Sequence, residues 1–186
     1  TNCYFAINDD TKEVLVIDPG ASADQLAKKI CQEKLTPIAI LLTHGHFDHA
    51  GGAEELAKHF DIKIYAEEHE KETLDTPSLN LSGWEGVQKT YHADVFLKNE
   101  QEIDHGLRPG IWKISVGGGG RRHEKGPHGH CGEAIYLREE GAACWNTSLK
   151  RYPAARSTGF TCGRPLLIGR SSSAGRRMAG DMWDAS

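Results

Sequence analysis

Four side chains able to bind a metal ion fall within six residues of this chain. They are His44, His46, Asp48 and His49, in the run Thr43-His44-Gly45-His46-Phe47-Asp48-His49. Imidazole and carboxylate are the donors that suit zinc and related divalent ions. On an extended backbone residues i and i+2 point the same way, so His44 and His46 can grip one ion together. Asp48 and His49 lie on the turn that follows and can face a second ion. Gly45 lets the backbone pass close to the ions, and Gly51-Gly52 lets the next helix begin tightly against them. Two ions about 3.5–4 Å apart share a water, lower its pKa toward about 7 and polarise a carbonyl or phosphoryl oxygen. The spacing therefore points to metal-assisted hydrolysis.

Such a loop must be delivered by something stiff. Pro37–Leu42 is a short apolar run of the buried-strand type and leads straight into it. Upstream, Cys3–Asn8 and Glu13–Ile17 flank the turn cluster Asn8-Asp9-Asp10 and read as a hairpin. Ser22 stands three residues before Gln25, the spacing of a capping box, and Leu26, Ala27, Ile30 and Cys31 share one helical face, so a helix is expected from Ala23 to Glu33. Downstream, a helix over Ala53–Phe60, a strand over Lys63–Ala66 and a charged helix over Glu67–Leu74 follow. The stretch from Thr76 to Lys89 reads as loop and Ala93–Leu97 as one more strand. Strand and helix alternate, which is an α/β order. After Asp104 only Ile111–Val116 and Ala134–Leu137 carry a strand pattern.

The 186 residues are 38% apolar and 26% charged, enough for a packed core and about one domain in length. The apolar run ahead of the motif, Ile38–Leu42, is far too short to span a bilayer, and a membrane protein is not expected. Five widely spaced cysteines without a CxxC pair read as a reducing, cytoplasmic setting. The net charge of −4 hides a break in composition. Residues 1–105 carry −11 with no arginine, whereas residues 106–186 carry +7 with ten arginines and 15 of the 21 glycines. The basic half has no lysine-rich run, and its tryptophans do not interleave with a basic stripe, so nucleic acid is not the expected partner. An abrupt break of this kind is what a change of reading frame leaves, and translating the coding DNA in its other frames tests that.

Residues 1–104 resemble the metallo-β-lactamase fold hydrolases, in particular the glyoxalase II-like (hydroxyacylglutathione hydrolase-like) branch. The matching pieces are Thr1-Asn2-Cys3-Tyr4, Val16-Ile17-Asp18-Pro19-Gly20, Ile40–Gly52 around the histidine motif, and Ile64-Tyr65-Ala66. The resemblance implies an α/β fold (α+β in some schemes), a single αββα four-layer sandwich over residues 1–186, with metals at one edge of its two sheets. It implies His44 and His46 on the first metal and Asp48 and His49 on the second. Asp18 becomes a buried support beneath the loop.

The family's third ligand to the first metal falls at His128, counting back from Tyr136-Leu137, with His130 as the alternative. Where the family places a bridging aspartate the sequence has Asn146, and no histidine follows His130. The implied cofactor is Zn2+, one or two ions, with iron or manganese as alternatives. The implied activity is hydrolysis of a small-molecule thioester, a 2-hydroxyacyl thiol such as S-lactoylglutathione, with Asp48 holding and orienting the attacking hydroxide. A lactonase or another hydrolase of this fold, and a metal-binding relative without a complete dinuclear site, are the alternatives.

Overall fold

The computed structural model describes residues 1–98, 112–117, 134–139, 147–153 and 167–170. The chain opens with strands β1 (Asn2–Asn8) and β2 (Glu13–Ile17), an antiparallel hairpin pairing Tyr4 with Ile17 and Ile7 with Val14. Asn8 closes its turn by accepting the Asp10 and Thr11 N–H groups on Oδ1. Helix α1 (Ala23–Gln32) then crosses to β3 (Thr36–Leu41), which lies parallel to β2. The register slips between Val14 and Leu15: Val14 faces Pro37, Leu15 faces Ala39, and Ile38 is passed over. Proline has no N–H for the ladder, so a bulge is where a strand tolerates it.

A one-turn helix, α2 (Phe47–Ala50), and α3 (Ala53–Phe60) lead to β4 (Lys63–Glu67). Helix α4 (Glu70–Asp75), a 3-10 turn (Ser82–Glu85) and β5 (Val95–Leu97) complete the first half. From the second half come β6 (Trp112–Gly117), β7 (Ala134–Glu139), β8 (Thr147–Pro153) and β9 (Leu167–Arg170). They make two sheets, one of six strands in the order β5-β4-β3-β2-β1-β8 and one of three in the order β6-β7-β9.

Burial follows the two-residue period of a strand on both faces of the larger sheet. Val14, Val16, Ile40, Leu42 and Ile64 join Leu26 and Ile30 of α1 and Leu56 of α3 in one apolar cluster. The alternate residues Leu15, Ile17, Ala39, Leu41, Tyr65 and Leu97 form a second cluster on the opposite face. A sheet buried on both sides reads as continuous apolar runs, as Val14–Ile17 and Ala39–Leu42 do. The α/β expectation is borne out. No helix among the described residues is long and apolar enough to cross a membrane.

Local expectations fare unevenly. The boundaries of Glu13–Ile17 and Ala53–Phe60 are those expected. The capping box at Ser22 does not form: Ser22 adopts a left-handed conformation at φ 58°, makes no side-chain cap, and its carbonyl takes the Gln25 and Leu26 N–H groups. Cys31 is exposed and lies off the buried face of α1. The charged stretch from Glu67 is not one exposed helix. Glu67 ends β4, pairs with Leu97, and is buried with its carboxylate on the His69 N–H (2.8 Å) and ring (2.5 Å). The helix starts only at Glu70.

Two strands were not expected, β8 and β9. Strand β8 pairs antiparallel with the whole of β1, from Asn2 opposite Pro153 to Asn8 opposite Thr147. It is also stapled to α1. Lys150 Nζ (2.6 Å) and Tyr152 OH (3.0 Å) both donate to the Glu33 carboxylate, and Lys29 lies 3.0 Å from it. The Lys150 bond chiefly holds the Glu33 carboxyl down at about 2; burial opposes it, and Lys29 and Tyr152 assist. Burial, then the hydrogen bond to Glu33, pushes the Tyr152 phenol up to about 12.

Candidate metal centre

The motif begins one residue after β3 and Leu42, where Asp18 from the end of β2 reaches across. Asp18 Oδ1 accepts the Thr43 N–H at 2.8 Å, and Oδ2 accepts the Thr43 hydroxyl at 2.6 Å and His49 Nδ1 at 2.9 Å. A hydroxyl has one proton to give. Thr43 gives it to Asp18, so its oxygen accepts from His44 Nδ1 at 3.0 Å. That assigns the proton of His44 to Nδ1 and the lone pair to Nε2. The same reasoning puts the His49 proton on Nδ1, toward Asp18, and its lone pair on Nε2. Carboxylate- or hydroxyl-backed imidazoles with unprotonated Nε2 are the form a metal ion takes.

The rings gather closely. The His44 centroid is 4.5 Å from that of His46 and 3.8 Å from that of His49. His44, His46, Asp48 and His49 are all buried, as is Asp18. His49 Nε2 lies 3.7 Å from Asp48 Oδ2 and 2.8 Å from the Thr1 hydroxyl, and the Thr1 amine lies 3.7 Å from Asp48 Oδ2. Burial disfavours the His49 imidazolium, but the charges of Asp18 and Asp48 outweigh it, so its pKa stands above the ordinary value. The pocket is thus one that favours positive charge.

Asp48 Oδ2 is buried and accepts no hydrogen bond among the described residues, and the His44 and His46 side chains are buried beside it. Its nearest cationic neighbours, the Thr1 amine and the His49 ring, stand off at 3.7 Å, so the buried oxygen still has room for a closer cation. The residues present therefore fit a divalent ion held by imidazole and carboxylate donors. Helix α2 carries two of them. His46, extended at ψ 148°, precedes it, and its carbonyl accepts the His49 and Ala50 N–H groups at 3.0 Å.

The glycines around the motif make room for backbone. A Cβ on Gly20 would lie 1.6 Å from the Asp48 carbonyl oxygen, one on Gly51 2.4 Å from the Gly20 oxygen, and one on Gly52 2.7 Å from the Pro19 oxygen. The expectation that Gly51-Gly52 allows tight packing holds, and what packs there is the Asp18-Pro19-Gly20 turn. Gly45 gives room to α4.

The structure brings together all four motif residues and Asp18. His128, its alternative His130, and Asn146 lie outside the described residues. The supports went unforeseen: Thr43, the Thr1 hydroxyl, Glu70, whose Oε2 accepts the Gly45 N–H at 2.8 Å, and Asn80, whose carbonyl accepts the Phe47 N–H at 2.8 Å. Asn80 is itself buried and bonds Leu74 O and Lys89 O through its side-chain amide. Glu70, within the stretch expected as a charged helix, is partly buried against the motif. Elsewhere His69 and His92 are mostly exposed. The Cys3 thiol is buried and its pKa is pushed up, by burial first and then by Asp18, which marks a core residue and not a nucleophile.

The chain is similar to several known proteins. The family described as "Metallo-beta-lactamase superfamily" matches residues 1–142. The probable metallo-hydrolase YqgX of Bacillus subtilis is 40% identical over 107 residues, which are 56% of this chain and 50% of that protein. Hydroxyacylglutathione hydrolase GloC of Haemophilus influenzae is 44% identical over 64 residues, 34% of this chain and 30% of that one. The chain spans half or less of the length of these curated relatives. Among solved structures, the BLEG-1 B3 metallo-beta-lactamase superposes with a TM-score of 0.57 at 29% identity, over 73% of this chain and 64% of that one. The class B3 di-zinc metallo-beta-lactamase LRA-12 from an Alaskan soil metagenome gives 0.52 at 19% identity over 73% and 50%, a likeness of fold.

Proposed function

The chain belongs to the metallo-β-lactamase superfamily, and from that premise we propose that this hydrolase cleaves small-molecule thioesters of the 2-hydroxyacyl-thiol type. The observation that carries the reading is the buried His44, His46, Asp48 and His49 constellation with an Asp48 oxygen that takes no hydrogen bond. The partial identity to hydroxyacylglutathione hydrolases supports the substrate class. His44 and His46, with His128 or His130, would hold one ion; Asp48 and His49 would hold the other. Zinc suits these donors, and iron or manganese would be accepted by the same set. A divalent ion supplies Lewis acidity there, polarising the acyl oxygen and easing loss of a proton from water.

The chain's own residues do the rest. Asp48 accepts a hydrogen bond from the attacking water and orients it toward the acyl carbon. Asp18 keeps His49 in one tautomer and one orientation, and Thr43 does the same for His44. The buried walls exclude bulk water, which strengthens each of these interactions. A reducing, cytoplasmic setting is proposed on the cysteine pattern, with no nucleic-acid or membrane partner.

Asn146, where the family has a bridging aspartate, favours a second reading: a relative that holds one ion and does not turn over. An amide bridges two cations poorly. The test is metal content by elemental analysis together with hydrolysis of S-lactoylglutathione against lactone and β-lactam panels. About two ions per chain and thioester cleavage support the first reading, and Asp48→Ala should then lower the rate at least a hundredfold. One ion without hydrolysis establishes the second, and no ion overturns both. Lactone or β-lactam turnover in its place moves the substrate class.

A further inference from the structure

The His44 and His46 rings stand 4.5 Å apart, centroid to centroid, and the N–H groups of Thr43, Gly45 and Phe47 are each taken by a different element: Asp18 after β2, Glu70 on α4, and the Asn80 carbonyl in the following loop. Of these anchors, Glu70 sits at the peptide directly between the two imidazoles. Its Oε2 is 2.8 Å from Gly45 N. The approach is possible because Gly45 has no Cβ; one placed there would lie 3.0 Å from both Leu74 N and Thr73 Cβ. Helix α4 is held in turn by buried Leu74, whose carbonyl accepts the Tyr91 N–H (3.0 Å) and the Asn80 amide (3.2 Å).

We propose that Glu70 is a positioning residue of the metal centre: by fixing the Gly45 peptide it holds the bend between His44 and His46, so that the two rings stay side by side, set for a single ion. Past the end of β3 no sheet ladder fixes this backbone, which bends at Thr43 and His44, so the two rings stay 4.5 Å apart only while the peptide between them keeps its orientation. A hydrogen bond to that N–H restrains the His44–Gly45 peptide, and any side-chain oxygen that reaches it serves. The inference rests on His44 and His46 being a metal pair and is independent of the thioester assignment.

Two substitutions in the full chain separate reach from charge. Glu70→Asp keeps the charge but is one methylene short of Gly45. Glu70→Gln loses the charge but keeps an oxygen that accepts the N–H. Cobalt(II) titration followed by its visible absorption bands, with circular dichroism as a check on folding, reads the pair. Glu70→Asp is expected to bind cobalt about tenfold more weakly, with shifted bands and faster hydrogen exchange at the Gly45 amide. Glu70→Gln is expected to stay near the parent in all three. A Glu70→Asp protein with parental affinity and bands overturns the inference, as does Glu70→Gln as weak as Glu70→Asp. If the parent takes up no cobalt, the metal-pair reading falls with it; if it takes up cobalt and cleaves no thioester, only the substrate reading falls.

Discussion

Asp18 concentrates more of this site's organisation than any of the four presumptive ligands. One carboxylate satisfies the Thr43 backbone, the Thr43 hydroxyl and the His49 ring, all inside a buried pocket. Replacing it with asparagine leaves one acceptor oxygen and a donor amide facing groups that all need to donate. Asp18→Asn is therefore expected to weaken metal binding about 10- to 100-fold, measured by competition with a chromogenic chelator, while the far-ultraviolet dichroism stays close to the parent. Gly20 is the other sensitive position. With the Asp48 carbonyl 1.6 Å from where a Cβ would stand, backbone and not a side-chain tip would have to move. Gly20→Ala should cost about 3 kcal/mol or more in denaturant unfolding. Of these residues the four with metal-binding side chains were legible in sequence, because they lie within six positions. Of their supports only Asp18 was legible, through the family resemblance; Thr43 and Glu70 were not, because each bonds a residue 25 positions away and no local pattern announces either contact.

At the scale of elements, the junction of α1 and β8 shows how charge holds the larger sheet together. The Glu33 carboxyl titrates near 2 in the fold, below its ordinary 4.5. Its stabilising contribution is therefore complete above about pH 4.5 and is lost as the pH falls toward 2. Glu33→Gln should lower stability at neutral pH by about 1 kcal/mol, and the gap between variant and parent should close between pH 4.5 and 2 in thermal unfolding series. Elements set by their own residues were readable: the β2 and α3 boundaries follow from apolar period alone. Elements set by distant partners were not. Glu67 looks like part of a charged helix until Leu97 pairs with it and His69 covers its carboxylate. Thr147–Pro153 has little strand signal in its Thr-Ser-Leu-Lys-Arg-Tyr-Pro sequence; β1 supplies the template that makes it one.

For the whole molecule, the family's pattern is densest where the site is, and residues 1–142 carry the match. The described part of the second half nevertheless enters the same sheet as the site, since β8 lies against β1, and β1 carries Thr1 to His49. That pairing has a consequence for any shortened form of the chain. Without β8, seven residues of β1 present their N–H and C=O groups along an open edge, with Phe5 and Ile7 alternating beside them. Such an edge accepts a strand from any neighbour, including the same strand of a second copy. A product ending before Thr147 is thus expected to form concentration-dependent assemblies in light scattering, while the full chain stays dispersed. Residues far from the histidine motif act here as a shield, and what they guard against is other copies of the same molecule.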